Sequence, residues 1–144
     1  MSHLLSTDAL IDLVAENNGL KMAIAGLAIH QVQISVVSIA HYRATINAPG
    51  VPPSVRGIHA ANLDAFVHKA EAQQLLRDVN LRVAEGYAHL RGMELKDGAK
   101  RMLSSENLFV LATAWKLSLT LITPNYAWLS QLSPLGLKLL VYKK

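Results

Sequence analysis

Short apolar runs of strand length alternate along this chain with stretches of helix length, and that alternation restricts the fold more than any other property of the sequence. His3, Leu4 and Leu5 open it as a short strand. Ser6-Thr7-Asp8 then offers three potential helix-capping side chains, and the helical run over 9–16 ends at Asn17-Asn18-Gly19. A second apolar helix is expected over 20–29, and 32–37 has the β-branched content of a buried strand. A helix over 38–46 has to stop before Pro49-Gly50-Val51-Pro52-Pro53, because proline lacks the backbone donor and clashes with the preceding turn. Helices over 58–70 and 79–91 follow, the second capped by Asp78 with Val79, Val83, Tyr87 and Leu90 on one face. Ser104-Ser105 caps a helix over 106–116. Strands are expected at 119–123, before Pro124-Asn125, and at 137–142, after Ser133-Pro134-Leu135-Gly136. The class is therefore α/β, with a mainly parallel sheet covered by helices on both faces.

With 51% hydrophobic and 17% charged residues the chain has ample apolar surface to bury, which excludes global disorder. Its 144 residues suit one core, so 1–144 is read as one domain. The absence of cysteine excludes disulfides and thiolate metal sites and agrees with a reducing compartment. No secretory leader opens the sequence, and the apolar runs over 22–29 and 117–122 fall well short of the roughly 18 residues of a membrane span. A cytoplasmic protein without a membrane partner is expected. Lys and Arg exceed Asp and Glu by 14 to 10, a net charge of +4. That balance suits a polyanion such as RNA, and it equally suits ordinary solubilising charge.

In an open parallel sheet, ligand chemistry collects outside the carboxyl ends of the strands. This directs attention to Ser6 through Asp8, to the helix start near His41, and to Asn107 with Asn125. The segments there are Leu4-Leu5-Ser6-Thr7-Asp8-Ala9-Leu10, Ile34-Ser35-Val36-Val37-Ser38-Ile39-Ala40-His41, Glu106-Asn107-Leu108-Phe109-Val110-Leu111-Ala112-Thr113-Ala114 and Leu121-Ile122-Thr123-Pro124-Asn125. In this order they resemble the blocks of the PIN-domain nucleases of the VapC toxin type. Tyr87-Ala88-His89-Leu90-Arg91 and Leu135-Gly136-Leu137-Lys138-Leu139-Leu140 are similar to further family segments, and only the Pro-rich stretch matches poorly. The resemblance implies a three-layer PIN-like domain. It also places Ser6 where the family has its first Asp, His41 in place of its Glu, and Asn107 in place of its third acid. Asn125 stands at a fourth position where the family accepts Asp or Asn.

A nuclease of this kind uses clustered carboxylates to hold Mg²⁺ or Mn²⁺, which orients water and neutralises charge on the scissile phosphate. Ser6, His41 and Asn107 are neutral and offer a hard cation little attraction. No cofactor or metal is therefore expected, and the reading is a non-catalytic PIN-like domain that binds RNA or a protein partner through the inherited cleft. One alternative is an active metal-dependent endoribonuclease toxin in which Asp8 and Glu106, with His41, rebuild a site for Mg²⁺, Mn²⁺ or Zn²⁺. Against it, Asp8 sits where a cap would, and Glu106 lies in a first turn that favours an acid. A second alternative is a homo-oligomeric interaction module without nucleic-acid binding. The resemblance further implies a homodimer and an antitoxin-like partner, for which the apolar helices flanking the Pro-rich loop are the expected surface. His30, His59, His68 and His89 have no metal-ligand spacing. Trp115 and Trp128 are read as packing residues, and Lys96, Lys100 and Arg101 around Asp97-Gly98 as a solvated loop.

Overall fold

The computed structural model describes residues 2–144. Its centre is β1 (His3–Leu5), a strand of three buried residues, flanked by β2 (Val32–Ser35) and β4 (Thr120–Pro124). Outside these lie β3 (Leu76–Arg77) and β5 (Leu139–Tyr142), giving the order β3-β2-β1-β4-β5 with every pairing parallel. Adjacent side chains of a strand point to opposite faces. Leu4 and Leu121 accordingly enter the core beneath α5 (Leu81–Gly92) and α6 (Ser105–Lys116), whereas Leu5, Ile34 and Ile122 enter the other. That second core is covered by α1 (Thr7–Val14), α2 (Asn18–Ile24) and α4 (Pro53–Ala72), with Tyr42 and Ile46 of α3 (Val36–Ile46) completing it. The result is the expected three-layer α/β arrangement.

Three helices end by one mechanism, which moves the ends of α1 and α4 from where the sequence reading put them and closes α6 where it was expected. α1, α4 and α6 terminate with Glu16, Gln74 and Ser118 in the left-handed conformation, at φ of 58°, 59° and 55°. In each, the next residue donates back to the helix: Asn17 to Asp12, Leu75 to Ala70 and Leu119 to Ala114, at 2.8 Å each. These are Schellman endings built without the usual glycine. Gly19, expected to close the first helix, instead lies within α2. A Cβ there would stand 1.9 Å from the Lys143 carbonyl oxygen, so this glycine is needed for close approach of the chain end.

The helix expected over 20–29 is Asn18–Ile24, capped by Asn17, and a short 3-10 turn, Ile29–Gln31, follows it. The strand expected to reach residue 37 stops at Ser35, because the Ser35 hydroxyl accepts from Val37 N–H at 3.1 Å and starts α3. α4 begins at Pro53, where its missing N–H costs nothing. Asn80, not Asp78, caps α5, accepting from Val83 N–H at 3.0 Å, which leaves Val79 exposed. β3 and the 3-10 segment Ala127–Leu135 were not expected at all. Among the described residues no helix is long and apolar enough to cross a membrane.

Candidate functional site at the carboxyl ends of β1 and β4

Where β1 ends, Ser6 turns the chain into α1, its hydroxyl accepting from Ala9 N–H at 3.1 Å. Ser6 is thus the cap, and Asp8 lies in the first helical turn where the helix dipole favours an acid. Ser104 performs the same task for α6, accepting from Asn107 N–H at 3.3 Å and so fixing Asn107 in that helix's first turn. The two helix starts are neighbours. A cavity between them is lined by Ser6, Asp8, Asn107, Thr123, Tyr126 and Trp128, with Val110, Leu111 and Leu121 behind. The structure thereby brings Ser6 and Asn107 together with Asp8. His41 and Asn125 are outside this lining. His41 is exposed on α3, where its carbonyl accepts from the Thr45 hydroxyl at 3.0 Å. Asn125 is exposed beside Tyr142, Lys143 and Lys144, and its N–H donates to the Tyr142 carbonyl at 3.1 Å.

The cavity holds about 20 Å³, room for one water molecule and little else. What closes it is Tyr126, whose hydroxyl donates to Asp8 Oδ2. Burial, then the Asp8 bond and the charges of Asp8, Asp12 and Glu106, push the Tyr126 hydroxyl far above its ordinary phenolic value, so it remains a donor. Trp128 stacks on Tyr126 with ring centroids 5.6 Å apart and planes 12° from parallel. One helical turn along α1 the arrangement repeats. Asp12 is buried, accepts from the Tyr142 hydroxyl at 2.6 Å, and meets Lys144 Nζ at 3.4 Å. Burial and Asp12 raise the Tyr142 hydroxyl in the same way. A hydrogen bond to a carboxylate contributes about 1.5–3 kcal/mol, so this pair of tyrosines is a substantial closure.

Glu106 Oε2 accepts from the Ser104 hydroxyl at 3.2 Å while Oε1 is buried without a partner, and Asp8 is occupied by Tyr126. Among the described residues no three His, Asp or Glu side chains gather as a metal-holding group, and His41 of the alternative Asp8, Glu106 and His41 set lies outside the cavity lining. Sequence reading missed Tyr126, Asp12 and Tyr142. The spacing of Asp8 and Asp12, one turn apart on a helix, was the available signal; their partners lie 118 and 130 residues away.

Solved structures similar over nearly the whole chain share this framework. VapBC2 from Rickettsia felis, bound to a DNA fragment from its promoter, matches at a TM-score of 0.72 and 15% identity, covering 99% of this chain and 100% of that one. FitAcB from Neisseria gonorrhoeae matches at 0.72 and 17%, with 94% of each chain covered. VapBC-5 from Mycobacterium tuberculosis, of the VapBC family of toxin-antitoxin systems, matches at 0.65 and 19%, covering 99% and 98%. The chain has the PIN-like fold of the VapC toxin component. No protein-family model matches the sequence, and no curated protein does. At these identities the likeness is one of fold. Within that PIN-like fold, Ser6 and Asn107 occupy the starts of α1 and α6, where the sequence resemblance had placed acids.

Proposed function

We propose that this chain is a non-catalytic PIN-fold module that binds a protein partner of the antitoxin kind. The closure of the cleft carries the reading: its acid, Asp8, is held by Tyr126, and the remaining space admits one water. A hard cation needs several oxygen ligands and room for its own waters. The partner reading is supported by the company the fold keeps, since similar chains were crystallised within toxin-antitoxin complexes. It is supported also by an apolar groove of about 80 Å³ between the 3-10 turn and α4, lined by Leu13, Ile29, Val32 and Phe66. Ile29 is exposed there, and Met22 and Ile58 are exposed on α2 and α4. An amphipathic partner helix would bury such residues. A homodimer belongs to the same proposal.

A second reading, RNA binding without cleavage, is favoured by the Tyr126–Trp128 stack at the cleft and the net charge of +4. The deciding experiment is calorimetric titration of Mn²⁺ into the wild type, into Ser6→Asp with Asn107→Asp, and into that pair with Tyr126→Phe added. The wild type is expected to take up no metal and to leave single-stranded RNA intact with Mn²⁺ present. The triple variant, with two new carboxylates and Asp8 released, is expected to bind Mn²⁺. Metal uptake and metal-dependent cleavage by the wild type would overturn the non-catalytic reading.

A further inference from the structure

At the opposite end of the sheet, where α6 ends and β4 begins, a second concavity of about 330 Å³ is open. That volume falls within the range of small-ligand sites. Trp115 walls it, Leu119 and Leu137 line it, and Ser118 and Lys138 contribute its polar groups; no acidic residue takes part. Its walls are pinned backbone. Ser118 N–H donates to Trp115 at 3.3 Å, Gly136 N–H to Ser133 at 3.1 Å, and Leu121 N–H to the Lys138 carbonyl at 2.9 Å.

The indole is held in place from α5 and α6. Lys116 Nζ lies 4.1 Å from its centroid, and the His89 ring lies 5.2 Å away, tilted by 46°. Gly86 makes room for the Lys116 stem, since a Cβ there would stand 2.8 Å from Lys116 Cγ. Arg82 donates to the Lys116 carbonyl at 2.7 Å. Glu85, the acid of α5, is exposed and outside the cavity lining. Trp115 is half-buried and faces neighbours on α5 and α6, and it lines an open hollow that includes Lys138 and no acidic residue.

We infer that this cavity binds a planar aromatic ring carrying an anionic group, of mononucleotide size, with Trp115 stacking the ring and Lys138 receiving the anion. The site is independent of the cleft at the other end of the sheet and of the partner reading above. A free nucleotide and the phosphorylated end of a nucleic-acid strand present the same chemistry.

The test follows the two indole N–H signals of the full chain by NMR, assigned with Trp128→Phe, during titration with adenosine 5′-monophosphate. A saturable shift of the Trp115 signal, with Trp128 unmoved, is expected. Adenosine without its phosphate should bind about tenfold more weakly, and Lys138→Gln should weaken the monophosphate about tenfold while leaving adenosine unchanged. Trp115→Leu should abolish both shifts read on the neighbouring amides, and the exposed Lys138→Gln decides the matter if that variant fails to fold. A 5′-phosphorylated oligonucleotide binding more tightly than the monophosphate identifies a strand end as the source; equal affinity identifies the free nucleotide. No movement of the Trp115 signal at about 5 mM monophosphate, or equal binding of adenosine and monophosphate, overturns the proposal.

Discussion

At the carboxyl end of the sheet the space between α1 and α6 is reduced to about 20 Å³, whereas at the amino end about 330 Å³ stands open beside Trp115. The two regions also differ in charge. The closed end gathers Asp8, Asp12 and Glu106 around two tyrosine hydroxyls, and the open end has lysine and no acid. Carboxylates left in a partly buried place need donors, and for Asp8 and Asp12 the chain supplies them from its own later segments. Tyr126 comes from the turn after β4, and Tyr142 with Lys144 from the end of β5. Where no buried acid demands a partner, the hollow has not been filled.

The closed end should be the fragile one, and the largest effect is expected at Gly19. Gly19→Ala drives a methyl group into the Lys143 carbonyl and should cost about 2–3 kcal/mol, lowering the midpoint of thermal unfolding by roughly 5–10 °C. The Trp115 indole signal should stay where it is. A melting temperature unchanged by this substitution would mean that the chain end is not pinned and that the two ends do not differ as described.

Next in size is Tyr142→Phe, which leaves Asp12 buried with Lys144 as its remaining side-chain partner. A loss of about 1.5–3 kcal/mol in urea unfolding is expected. In a double-mutant cycle with Asp12→Asn the two changes should be strongly non-additive, and simple additivity would remove the bond from the account.

The smallest effect is a pH dependence that sharpens the contrast. Both hydroxyls are raised above the ordinary value of 10.0 by burial and by their carboxylates. Their contribution to stability is therefore complete below pH 10 and is lost as pH rises beyond it toward the folded-state values. Urea midpoints of the wild type should fall between about pH 9.5 and pH 11, and a variant with Phe at both positions should fall less steeply. Parallel declines would show that other groups, lysines above all, govern the alkaline limb.

Much of the architecture was legible before any coordinate. The β-branched and leucine-rich runs at β1, β2, β4 and β5 were read as strands, and Ser104 was anticipated as a cap, because both signals are local. β3 escaped because two residues carry no periodicity, and the 3-10 segment after Tyr126 because the only signal read there was the turn Ser133-Pro134-Leu135-Gly136. Helix ends were misplaced where left-handed Glu16 and Gln74 did the work usually assigned to glycine. At the candidate site, the resemblance pointed to Ser6 and Asn107, which do share a cavity, and to His41 and Asn125, which lie outside its lining.

The linear order of residues was enough for the layered α/β fold, since composition and local pattern carry it. Whether the cleft is open or shut is a question of packing between segments more than a hundred residues apart. Asp8 meets Tyr126, and Asp12 meets Tyr142, only because parallel pairing of β1 with β4 and of β4 with β5 returns the late chain to the start of α1. Hydrogen-bond partners brought together by sheet order leave no mark in local spacing, and the closure of this site is therefore a property of the folded molecule alone.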